Sequence, residues 1–205
     1  SLEQYPLGSH NWEEGLTAAD FIAGMTKHQP IMRERFQTVK LTEEERAWFA
    51  DLPRRIYMVV VTEDWCTDCL MNLPILAGIA SACSKMEMRV FIRNQWPDLR
   101  TYYTSFNIHS IPVASFLDHE FNLLGHWIER PQSAHLKLAD WKEAHPEIDT
   151  LRRRADIDAD EKRELLAQAS VSLIDEMRAW YDAGLQSETV REVAVLLGVR
   201  PTANL

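Results

Sequence analysis

Apolar positions along this chain keep a helical period, switch to short continuous runs, and then return to the helical period. In the first third, Ala18, Phe21, Ile22 and Met25 share one face of a helix predicted over 17–28, with Thr17 placed to cap it. Gln29-Pro30 interrupts the pattern, and 31–39 supports a second short helix. Thr42 and Glu45 form a capping box for a third helix, which Leu52-Pro53 ends near Asp51.

The middle of the chain alternates. Residues 55–62 are β-branched and apolar over 56–61, as in a strand covered on both faces. A helix is predicted over 66–83 with Pro74 inside it, followed by a strand at 87–93 carrying Met88, Val90 and Ile92. Trp96-Pro97-Asp98 opens another helix with Leu99, Tyr102, Tyr103 and Phe106. Strands at 112–117 and 121–128 flank a tight turn at 118–120, and Arg130-Pro131 precedes a helix over 132–144. This order, βαβ followed by a hairpin and a helix, implies a mixed sheet with helices on its faces. Beyond Pro146, Asp158 and Glu161 cap a long helix that Gly184 is expected to stop near Ala183, with Leu166, Ala169, Leu173, Met177, Trp180 and Tyr181 on one stripe. A last helix spans 188–197. The expected division is a helical N-terminal extension packed on the core (1–53), an α/β domain (54–146) and a helical C-terminal extension (147–205).

Charge narrows the partners. A formal net charge of −9 over 205 residues argues against nucleic acid and anionic membrane surfaces, which call for a basic footprint. No run approaches the roughly 18 apolar residues of a membrane-spanning helix, and 1–14 lacks the profile of a secretory signal. Three cysteines, two of them in one CxxC, do not make a disulfide framework, so a reducing cytoplasm is the expected compartment.

The chemistry concentrates at Trp65-Cys66-Thr67-Asp68-Cys69, directly after the buried strand. At a helix N-terminus, exposed backbone N–H groups favour a thiolate. Cys66 is therefore the expected nucleophile, with a pKa below its free value although the Asp68 carboxylate opposes the drop. Cys69, one turn on, is the expected resolving thiol. Glu63, Asp64 and Asp68 are the nearby groups available as its base. Cys83 follows Cys66 by 17 residues, about 25 Å along one helix, and is expected to be a free buried cysteine. His109 and Trp96 are lesser candidates for tuning the thiolate and overhanging the site. Metal is not expected, because structural zinc takes four ligands and the chain has no second CxxC or CxxH.

Four features in order make the chain resemble the thioredoxin superfamily over roughly 54–146: the tryptophan-led CxxC, Pro74 five residues after Cys69, Ser110-Ile111-Pro112 with its proline forty-six residues after Cys66, and Gly125 in the last strand. The Glu-Asp-Trp-Cys context, the 94–99 segment and the helical N-terminal extension are similar to a bacterial branch of thioredoxin-like proteins. The resemblance implies a thioredoxin-like fold, a mixed four-stranded sheet flanked by helices, with extra helices at both ends. It also implies a kink at Pro74 and a cis peptide bond before Pro112. Trp65, Thr67, Asp68, Ile111, Pro112 and Gly125 would then line a substrate groove, where Ile111 offers main-chain hydrogen bonds to an extended substrate.

Two departures stand out. Val60 occupies the place of the family's buried aspartate, and Thr67-Asp68 replaces the usual Gly-Pro. The expected function is a thiol–disulfide oxidoreductase that reduces protein or small-thiol disulfides through Cys66 and Cys69. No organic cofactor or metal would be involved, only an electron donor such as a reductase or a low-molecular-weight thiol. The alternative is a binding or dimerisation module on the same fold, with weak or no redox activity, in which the terminal helices dock a partner or a second copy.

Overall fold

A computed structural model describes residues 4–200, so residues 1–3 and 201–205, the outer ends of the two expected helical extensions, lie outside the described residues. The chain forms two compact units, one comprising Ser1–Glu129 with Thr189–Leu205 and the other Arg130–Glu188.

The first unit is built on four strands: β1 (Ile56–Thr62), β2 (Met86–Ile92), β3 (Val113–Leu117) and β4 (Leu123–Ile128). They lie in the order β2-β1-β3-β4, with β1 parallel to β2 and antiparallel to β3, and β3 antiparallel to β4. The mixed sheet expected from the element order is the one observed. β1 sits inside it, and Val59, Val60 and Val61 are buried, which is why its sequence is an unbroken apolar run.

Before β1 come α1 (Ser9–Trp12), α2 (Ala18–Ala23), α3 (Gln29–Thr38) and α4 (Glu43–Ala50). Thr17 caps α2 through Asp20, and Thr42 and Glu45 form a reciprocal capping box on α4. The helix expected over 17–28 stops at Ala23. Beyond it the backbone N–H groups of Thr26 and Lys27 donate to Asp64 rather than continuing the helix, a tertiary anchor that periodicity does not register. Leu16 exchanges two backbone hydrogen bonds of 2.8 Å with Val90, so the N-terminal segment covers the outer edge of β2.

One face of the sheet carries an aromatic cluster in which Tyr5, Leu7 and Trp12 meet Val59, Val61 and Phe91 and, from α6 (Pro97–Ser105), Leu99, Tyr102 and Tyr103. The alternate β1 side chains Met58 and Val60 are also fully buried, and α5 (Thr67–Ser81) packs on β1 and β2 with α3 against it. α5 is buried around nearly its whole circumference, as an apolar helix between layers must be. Gly15 admits the ring of Phe91, whose Cζ would lie 2.5 Å from an added Cβ.

The second unit holds α7 (Gln132–Ala144), α8 (Pro146–Arg153) and α9 (Ala159–Trp180). α7 has the expected bounds, and Asp158 caps α9 by accepting from Asp160 and Glu161 N–H. α8, started by Pro146, has no counterpart among the expected elements. Gly184 does interrupt the helix, at φ 150, within a widened turn over Tyr181–Leu185, after which the chain continues as α10 (Gln186–Leu196). None of the helices among the described residues is long and apolar enough to cross a membrane.

Candidate active site

Strand β1 ends at Thr62, and the following loop delivers Cys66 to the N-cap of α5. There the Cys69 backbone N–H donates to Cys66 Sγ at 3.1 Å, and the Cys66 thiol donates to the Ile111 carbonyl at 3.5 Å. The Ile111–Pro112 peptide bond is cis. Cys66, Cys69, Ile111 and Pro112 therefore converge from two distant stretches of sequence. Both cysteines are free thiols, Cys66 7% exposed and Cys69 fully buried.

This geometry reverses one expectation. The helix end does point an N–H at Cys66, but burial is the larger effect and pushes the thiol pKa well up. The neighbouring Cys69 side chain and the Asp68 carboxylate push the same way, and only the Cys69 N–H opposes them. The Ile111 carbonyl adds a preference for the protonated form, because only a thiol can donate to it.

The acids near the site divide by what holds them. Asp64 is an anchor: its carboxylate accepts from Thr26 N–H, Thr26 Oγ1–H and Lys27 N–H. Burial alone would raise its pKa, and these hydrogen bonds hold it below the usual range. Glu63 is buried and accepts from Asn94 N–H at 2.8 Å, which ties the CxxC loop to the end of β2. Asp68 is buried beside the thiols, and Val60 pairs with Val90 and Ala114 in the middle of the sheet.

Trp65 is 49% exposed beside the dithiol, with the Arg93 guanidinium 5.9 Å from its ring centroid. Trp96 is partly buried and packs edge-on against the core residue Phe91 at 4.9 Å. His109 is exposed and pairs through Nε2 with Asn107 Oδ1. Cys83 is buried and unpaired, just beyond the end of α5.

Gly125 stands mid-strand opposite Phe116, where an added Cβ would lie 2.5 Å from Leu196 Cδ1. Its missing side chain makes room for α10. The residue that adjoins Pro112 is Glu129, whose N–H donates to the Pro112 carbonyl at 2.7 Å from a left-handed backbone conformation (φ 69).

Three polar residues that pattern reading passes over support the site. Pro74 cannot donate to the Leu70 carbonyl four residues earlier. Arg35, only 3% exposed on α3, donates instead, from Nε to Leu70 at 3.0 Å and from Nη2 to Met71 at 2.8 Å. Asn72, fully buried one turn after the dithiol, donates to the Asp68 and Glu129 carbonyls and accepts from Thr189 Oγ1. It thereby joins α5, the end of β4 and α10. The one signal available in the sequence was a lone amide in an otherwise apolar helix. Among the described residues, no three His, Cys, Asp or Glu side chains gather as a metal site.

The whole-chain fold is shared with solved structures. One is a protein of unknown function, PA1234, from Pseudomonas aeruginosa, 22% identical, with 96% of this chain and 98% of that chain covered at a TM-score of 0.61. Another is an HIV epitope-scaffold, 20% identical, with 97% and 99% covered at a TM-score of 0.62. At such identities the likeness is one of fold alone. Among curated proteins none matches. The thioredoxin family model matches residues 15–142, well over half of the chain, and takes in β1, the CxxC, the cis-proline loop and β4. On that match, and with the Cys66 thiol set against Ile111 of the cis-proline loop, the chain belongs to the thioredoxin family.

Proposed function

We propose that this protein is a thiol–disulfide oxidoreductase that works as a reductant through Cys66 and Cys69. The observation that carries the reading is the position of Cys66 Sγ, at the mouth of α5 between the Cys69 N–H and the Ile111 carbonyl. Cys66, as thiolate, attacks one sulfur of a substrate disulfide. The substrate S–S bond breaks, a mixed disulfide forms and the first substrate thiol leaves. Cys69 then attacks Cys66 Sγ and releases the second substrate thiol, leaving a Cys66–Cys69 disulfide. Two electrons pass to the substrate, and both cysteine protons end on the two thiols released.

A raised Cys66 pKa suits a reductant. Strong oxidants of this chemistry stabilise their reduced thiolate, and here burial and Asp68 withhold that stabilisation. An electron donor, a reductase or a low-molecular-weight thiol, would regenerate the dithiol, and no organic cofactor or metal takes part. Insulin reduction with dithiothreitol as donor is expected to be accelerated by the intact protein and not by Cys66→Ser. Equal rates would leave the other reading, a binding module that keeps the fold, and Val60 in the sheet centre in place of an acid favours that reading.

A further inference from the structure

A cavity of about 110 Å³ is lined by Arg93, Arg100, Thr104, His109, Ser110 and Ile111 among others. No Asp or Glu lines it. In a chain of formal charge −9, a small recess whose lining includes two arginines and no carboxylate is a local excess of positive charge, which favours anions. Arg93 is fixed there from two sides, by its position over Trp65 and by a hydrogen bond from Nη1 to the His109 carbonyl at 3.2 Å. That bond uses one of about five guanidinium donors, so the planar fork that matches a carboxylate is held in place and only partly used. Thr104 and Ser110 also line the recess.

The volume is far below the roughly 300–1,000 Å³ that takes a whole ligand, so the recess suits a head group. Ile111 links the recess to the dithiol. Its carbonyl accepts from the Cys66 thiol while the same residue lines the cavity.

Resting on the redox reading above, we propose that this recess is a subsite for a carboxylate of the disulfide substrate. Arg93 and Arg100 bind the carboxylate, and Cys66 attacks the disulfide beside it. The electron balance is that of the cycle already described: one R–S–S–R becomes two R–SH, and Cys66 and Cys69 are oxidised to their disulfide.

The test uses pre-reduced protein and two small disulfides, 3,3′-dithiodipropionate, which is dianionic, and 2-hydroxyethyl disulfide, which is neutral. Single-turnover formation of the Cys66–Cys69 disulfide is followed by intact mass. The ratio of the anionic to the neutral rate constant is expected to fall about 5-fold or more in Arg100→Gln and in Arg93→Gln. An unchanged ratio in both variants overturns the subsite. The Cys66→Ser, Cys69→Ser double variant, titrated with dithiodipropionate by calorimetry, separates the two ideas. Saturable binding that is absent for the neutral disulfide and lost with Arg100→Gln upholds the subsite even if the intact protein reduces nothing, in which case only the redox reading fails. Absence of anion-selective binding overturns the subsite.

Discussion

Arg35 on α3 donates from Nε to the Leu70 carbonyl at 3.0 Å, the acceptor that Pro74 leaves without its helical partner. A proline inside a buried helix leaves a polar atom that water cannot reach, and this fold satisfies it with a buried guanidinium from another helix. The helix that carries Cys66 and Cys69 is thereby tied to α3 at the turn following the dithiol.

Removing the arginine should expose that dependence. Arg35→Met is expected to destabilise the protein by about 1–3 kcal/mol, the range for a buried acceptor left unmade, as read by urea unfolding. Pro74→Ala restores an N–H for Leu70. In the double variant the cost of Arg35→Met should therefore shrink by about 1 kcal/mol, and simple additivity of the two changes would refute the pairing.

Asp68 adds to the effect of burial on the Cys66 thiol. Its charge is among the causes that raise the Cys66 pKa, so Asp68→Asn should move the pH profile of iodoacetamide labelling at Cys66 to lower pH. In the unaltered protein, labelling should still be climbing above pH 9.0, the ordinary value from which the thiol is raised. A variant profile that coincides with the parent's would show that the Asp68 charge does not act on this thiol.

His126 makes stability depend on acid. Its Nδ1 meets Ser115 Oγ at 2.7 Å, at the end of a chain of hydroxyls that runs through Tyr103 to Tyr5. Burial lowers its pKa from 6.5, so the folded protein resists the proton that the unfolded chain accepts. The unfolded state then binds more protons below about pH 6.5, and stability falls as pH drops through that value until the folded-state pKa is passed. Thermal unfolding of His126→Gln should lose less stability than the parent between pH 7 and 5. An identical loss in both would remove His126 from the account.

Much of this was legible in the order of residues. The run at 56–61 reads as a strand because β1 is covered on both faces, and the capping pairs at Thr17, Thr42 and Asp158 act within one turn of chain. The nucleophile position is a local fact as well, since a CxxC at a strand-to-helix junction places one sulfur at the N-cap. Helix ends set by distant partners were not legible. Residues 24–28 leave the helix because Asp64, nearly forty positions away, holds Thr26 and Lys27.

What the chain determined alone was therefore its short-range physics: periods, caps, the proline inside α5 and the dithiol at its mouth. Tertiary structure decided everything that depends on who stands opposite. It seats Ile111 against Cys66, packs Leu196 against Gly125, and supplies Arg35 to the carbonyl that Pro74 orphans. It also decides the sign of the Cys66 shift, because the pull of a helix end is built into the local chain whereas desolvation arises only when other segments close over the sulfur.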